Sequence, residues 1–103
     1  MSTATFSEFK AAALAQGFDE ILERQWAPDA VLGVHAHPFA VQALVVQGEM
    51  WLTVGELTRH LRHGDTFEIE RDAPHAERYG PEGATYWAAR RHAAPGATVP
   101  SSA

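Results

Sequence analysis

The 103-residue chain contains no cysteine. That excludes disulfides, thiolate nucleophiles, and zinc or iron–sulfur centres held by cysteine. No apolar run approaches the ~18 residues of a membrane-spanning helix, so no membrane partner is expected. Positive charge is scarce: 8 Lys and Arg stand against 13 Asp and Glu, a net charge of −5. This balance gives no basic footprint for nucleic acid or for an anionic bilayer. The segment Met1 to Phe6 lacks a basic stretch followed by an apolar one. No signal peptide is therefore expected, and the cytoplasm is the expected location. With 46% hydrophobic and 20% charged residues, the composition is that of a folded chain. The length suits one domain, 1–94, and the small, polar, Pro-containing residues 95–103 read as a loose tail. Any chemistry must come from His, carboxylate, Arg, Tyr or a bound metal.

The pattern of the chain changes early. Residues 5–16 read as a short helix, with Thr5 and Glu8 spaced as a capping box. Phe6, Phe9, Ala13 and Leu14 can share one face, and Gly17 stands where a helix would end. From Phe18 onward the period is 2. Short β-prone runs are expected at Ile21 to Trp26, Val34 to His37, Phe39 to Val46, Glu49 to Val54, Leu57 to Leu61, Phe67 to Ile69, Pro74 to Tyr79 and Thr85 to Arg90. Gln47-Gly48, Gly55-Glu56, His63-Gly64-Asp65 and Gly80-Pro81-Glu82-Gly83 read as the turns between them. Many short strands broken by Gly and Pro predict an all-β sandwich or barrel. Within Val41 to Val46, both faces are apolar. One face would line the interior, and the N-terminal helix or a second subunit would cover the other. The three tryptophans add to the expectation of a homodimer.

The six histidines are His35, His37, His60, His63, His75 and His92. His35 and His37 lie two apart in an extended segment, so both rings fall on one face. Neutral imidazoles so placed suit one transition-metal ion. The next positions on that face, Phe39 and Val41, are apolar. A third ligand must come from elsewhere, and His75, directly after Pro74, is the candidate. His60 and His63 read as surface residues, and His92 has no assigned role. Glu68 and Glu70 share a strand face opposite Phe67 and Ile69. They read as a solvated face, with a general base as the sharper alternative. Asp65 is expected to cap its own turn. Glu77 and Tyr79 share the parity of His75, which brings Tyr79 toward a cavity mouth.

These residues resemble the two motifs of a small single-domain cupin. Gly33-Val34-His35-Ala36-His37 matches the first motif's Gly-x-His-x-His, with Val41 at its Glu position and Gly48 at its closing Gly. Gly64-Asp65 opens the second motif and Pro74-His75 ends it, with Glu70 where Pro is usual and Asp72 where Gly is usual. The resemblance spans roughly Ile21 to Arg90. It implies an antiparallel β-barrel, the double-stranded β-helix or jelly roll, carrying a short N-terminal helix.

The resemblance further implies a metal site of His35, His37 and His75 in which the family's usual glutamate is replaced by Val41. One divalent ion (Fe, Mn, Zn or Ni) is expected, with positions open for water or a ligand. Phe39, Val41, Ala43, Met50, Leu52 and Tyr79 are the candidate pocket residues for a small, partly apolar molecule. The leading expectation is a metal-binding small-molecule cupin with oxygenase, lyase or isomerase chemistry. The alternatives are a non-catalytic ligand-binding or sensing cupin, and a structural dimeric barrel without metal.

Overall fold

The computed structural model describes residues 5–92. One helix, α1 (Phe6–Ala15), precedes six strands: β1 (Glu20–Trp26), β2 (Val31–His35), β3 (Ala40–Val54), β4 (Leu57–Arg62), β5 (Thr66–Ile69) and β6 (His75–Arg91). The expected tail 95–103 and the domain boundary at 94 lie outside the described residues. No helix among the described residues is long and apolar enough to cross a membrane.

Helix α1 starts as its sequence dictates. The Glu8 amide donates to Thr5 Oγ1 at 3.1 Å and the Thr5 amide donates to Glu8 Oε1 at 2.8 Å, a complete capping box. Gly17, at φ +92°, lets the chain leave the helix. Phe6 and Phe9 pack on Trp87, and Ala13 meets Phe18 and Ala89. The helix thus packs on β1 and the outer face of β6, rather than mainly on the two-sided apolar run of β3 that it was expected to cover. Leu14 departs from the expected face and is half exposed.

Two long strands dominate. β3 has 15 residues and β6 has 17, and they pair antiparallel along most of their length. The expected turns at Gln47-Gly48 and Gly80 to Gly83 are therefore bends inside continuous strands. Register shifts fall between Val45 and Gln47 and between Gly48 and Met50. They switch the buried row of β3 from odd positions (Val41, Ala43, Val45) to even ones (Met50, Leu52). Gly48 sits at φ +75°, and a Cβ there would lie 2.1 Å from the Gly83 carbonyl oxygen. The two bends nest against each other, and only glycine fits.

The sheet is open, which corrects the expected closed barrel. Its strand path runs β1-β6-β3-β4, with β2 also on β6 and β5 also on β3. β3 and β6 occupy the centre. β1 and β2 flank β6, while β4 and β5 flank β3. Among the described residues each of these four short strands has a single partner strand, so no ladder joins the two outer edges. The arrangement is an antiparallel jelly roll folded at Gly48 and Gly83 but not closed. One core cluster unites both halves: Val41, Ala43 and Val45 meet Met50, Leu52, Leu61, Phe67, Ile69, Tyr79 and Tyr86. Each fully buried side chain of the Met50 or Leu52 kind contributes about 1.5–3 kcal/mol.

Candidate metal centre

The β2–β6 pairing builds the site. Its register sets His35, the last residue of β2, opposite His75, the first of β6. Their ring centroids are 4.3 Å apart. His37 follows just beyond β2, with its ring 5.5 Å from that of His35 and 4.7 Å from that of His75. The His37 carbonyl accepts the Asp72 amide at 2.8 Å, which ties this segment to the β5–β6 loop. Asp72 has φ +62°. This is the position where the cupin motif usually has Gly, and a left-handed backbone explains why; aspartate is among the few residues that tolerate it.

One ring nitrogen from each histidine lies within 4.8 Å of the others. The backbone fixes two of the tautomers. His35 Nδ1 is 2.7 Å from the Gly33 carbonyl oxygen and His75 Nδ1 is 2.9 Å from that of Ala73. A carbonyl can only accept, so both Nδ1 atoms carry hydrogen. In the neutral rings the Nε2 lone pairs are then free. His75 Nε2 is buried and has no hydrogen-bond partner, as is His37 Nδ1. Burial, then the neighbouring His75 and His35, push the His37 pKa down to about 4, so this ring is neutral near pH 7. Converging neutral imidazoles with an orphaned buried lone pair fit a divalent transition ion.

The sequence reading gave Glu77 no role. It lies two residues beyond His75 on the same inward row, and its side chain is only 6% exposed. Its Oε2 is 3.3 Å from His35 Nε2 and 3.6 Å from His75 Nε2. Its Oε1 accepts the Tyr79 hydroxyl. Tyr79 is itself buried and stacked on Trp26, with centroids 5.2 Å apart. Burial first, then Tyr86 and the Glu77 carboxylate, push the Tyr79 pKa up, so the phenol stays a donor. The signal in the sequence was the shared parity of His75, Glu77 and Tyr79.

The remaining candidates separate. Phe39 and Val41 line a cavity of about 30 Å³ beside His37, His75 and Glu77, together with Phe67, Tyr86 and Arg90. Phe39 stacks on His37 at 4.4 Å. Ala43, Met50, Leu52 and Tyr79 lie at 0–2% exposure in the core cluster. Glu68 and Glu70 are exposed. Asp65 Oδ2 accepts the Arg62 amide at 2.8 Å and caps its turn. His60 stacks on Trp51 and pairs with Glu49 on the surface, and His92 reaches Glu20 at 2.9 Å. A larger open groove of about 390 Å³, lined by Glu49, Arg62, His63 and Glu82 among others, contains none of the three clustered histidines.

Comparison with known proteins agrees with this architecture. Residues 17–94 match the family described as the AraC-like ligand binding domain. The chain belongs to this family, within the cupin superfamily. Among solved structures it is similar to an RmlC-like cupin from Shewanella frigidimarina, with 25% identity and a TM-score of 0.63 over 71% of this chain and 65% of that one. It is also similar to a cupin-like protein from Thermotoga maritima, with 22% identity and a TM-score of 0.62 over 70% and 56% of the two chains. A chain from the crystal structures of the DMSP lyases RdDddP and RnDddQII matches at 23% identity and a TM-score of 0.66, over 76% of this chain and 40% of that one. No curated protein sequence matches significantly.

Proposed function

We propose that the chain is a metal-dependent small-molecule cupin in which His35, His37 and His75 hold one divalent transition ion. The observation that carries this reading is the His75 Nε2 lone pair: buried, aimed into a three-histidine cluster, and without a donor. When bound, the ion supplies Lewis acidity and a template for an oxygen-donor ligand. Iron, manganese, zinc and nickel all accept such a donor set. The chain's own residues do the rest. The Gly33 and Ala73 carbonyls hold the His35 and His75 rings in one tautomer. Phe39, Val41 and Phe67 keep the inner side of the cluster dry. The cavity of about 30 Å³ is large enough to admit a water-sized group. A larger ligand would approach from the side of His35, whose side chain is 32% exposed.

Lyase chemistry is the enzymatic form of this reading, supported by the fold shared with one chain from the DMSP lyase crystal structures. A second form, ligand sensing without turnover, is favoured by the family, which is defined by ligand binding. The proposed partner in assembly is a second copy of the chain. Val31 and Val34, 71% and 77% exposed, border an open groove of about 400 Å³ that includes Trp51. Light scattering on the eluting protein tests that assembly.

The test of the metal reading is elemental analysis of untagged protein prepared without chelator, on wild type and His37→Ala. About one equivalent in wild type, lost in the variant, is expected. No uptake of any of the four ions after reloading would overturn the proposal and leave a metal-free binding protein.

A further inference from the structure

We propose that Glu77, two residues beyond His75 on β6, is the anionic fourth ligand of the metal, replacing the carboxylate that Val41 removes from the first motif. This rests on the metal reading above and adds the charge of the site to it.

Three observations carry the inference. The first is distance. Two donors held about 2.0–2.2 Å from one tetrahedral ion stand roughly 3.3–3.6 Å apart. Glu77 Oε2 is 3.3 Å from His35 Nε2 and 3.6 Å from His75 Nε2. The second is hydrogen accounting. Both histidines already donate through Nδ1 to backbone carbonyls. In their neutral forms the two Nε2 atoms and the carboxylate oxygen present only lone pairs to one another. Such a convergence needs positive charge between them, and one divalent ion held by all three would satisfy every lone pair at once. The third is burial. Among the described residues no Lys or Arg lies within ion-pair distance of Glu77, and its nearest basic groups are the imidazoles of His35 and His75. A carboxylate with a 6% exposed side chain is costly without a countercharge.

Val41 also borders the cavity, with His37, His75 and Glu77. The motif's usual glutamate and Glu77 would therefore approach the same ion from neighbouring strands, β3 and β6. The carboxylate is then not missing from this site; it stands two residues beyond the second motif. Tyr79 is its positioning residue. Its hydroxyl holds Oε1 and leaves Oε2 facing His35 and His75.

The test uses chelator-treated full-length protein titrated with Zn²⁺ and with Co²⁺, read by affinity and by the visible spectrum of the Co²⁺ form. Glu77→Gln is expected to lose more than about tenfold in affinity and to change the Co²⁺ spectrum. Tyr79→Phe should lose less and keep the wild-type spectrum. Adding Val41→Glu to Glu77→Gln should recover affinity. Should Glu77→Gln not fold, Glu77→Asp, which withdraws the carboxylate by one methylene, is read in its place. Loss of binding in His75→Ala with wild-type affinity and spectrum in Glu77→Gln would overturn this inference and leave the three-histidine site intact. No binding of either ion by wild type would overturn both.

Discussion

Strand β6 turns odd positions into the core before its bend and even ones after it, and its two ends are built from different residue types. Its first buried positions are His75, Glu77 and Tyr79; its later ones include Ala84, Tyr86 and Ala88. The same strand, the same partner β3 and similar burial hold a polar row at one end and a mostly apolar row at the other. An apolar row needs no explanation beyond the removal of its surface from water. A polar row does, because each buried group must find a partner. The Tyr79 hydroxyl finds Glu77, and the Nδ1 atom of His75 finds a carbonyl. The His75 Nε2 atom finds none. The difference between the two ends therefore marks the proposed metal site within a core that is otherwise ordinary packing.

The largest expected effect lies where the two ends meet. Gly48 and Gly83 let β3 and β6 bend together, and a Cβ on Gly48 would meet backbone at 2.1 Å. The left-handed backbone of Gly48 adds about 1–2 kcal/mol for any other residue, and displacing the neighbouring strand adds roughly 1–3 kcal/mol more. Gly48→Ala is expected to lose stability through both terms, seen as a urea midpoint shifted sharply downward. A midpoint equal to wild type would show that the two halves do not depend on this bend.

The next pair of variants separates the rows directly. Met50 is fully buried opposite Tyr79. Met50→Ala should cost about 2–5 kcal/mol of stability while retaining metal. His75→Ala should lose the metal and, with it, the rise in melting temperature that added ion gives wild type. Thermal melts with and without EDTA read both. If Met50→Ala also lost the ion, or His75→Ala kept it, the division of β6 into a packing end and a binding end would be wrong.

How much of this was legible beforehand follows from the same division. The capping box at Thr5 and Glu8 and the strand parity of Val41 to Val45 act over a few residues, so the sequence displays them. His35, His37 and His75 were legible through their spacing. Other features depended on distant neighbours. Gln47-Gly48 carries turn chemistry, yet it becomes a bulge because Gly83 packs on it from far along the chain. The open edges depend on which strands fail to pair, which no local pattern records. Glu77 had the right parity, but its role needed the β2–β6 register that sets His35 opposite His75.

A smaller effect concerns pH. The folded His37 pKa, near 4, lies below the ordinary value of 6.5 because burial disfavours the charged ring. Between these values the unfolded chain binds a proton that the folded chain does not. Stability of the chelator-treated protein should therefore be full above about pH 6.5 and decline as pH falls toward 4. Urea midpoints across that window should fall less steeply for His37→Gln. Equal slopes would show that the ring is not held neutral by the fold, and that the polar end of the core is wetter than its geometry indicates.

The smallest expected effect is at Asp72, which holds the binding end from outside the strands. Its amide ties the His37 carbonyl, and its φ of +62° is a conformation that glycine adopts freely. Asp72→Gly keeps the amide and removes the steric penalty, while loosening the unfolded chain. These opposing terms should leave stability within about 0.5 kcal/mol of wild type. Asp72→Val keeps the amide but forces a β-branched residue into the left-handed region, and should cost about 1–2 kcal/mol. Metal content should stay at the wild-type level in Asp72→Gly, because the carbonyl tether to His37 belongs to the backbone. A loss of metal in Asp72→Gly with unchanged stability would mean that the aspartate side chain itself supports the ligand loop. The polar end of the core would then extend beyond β6 into the turn that precedes it.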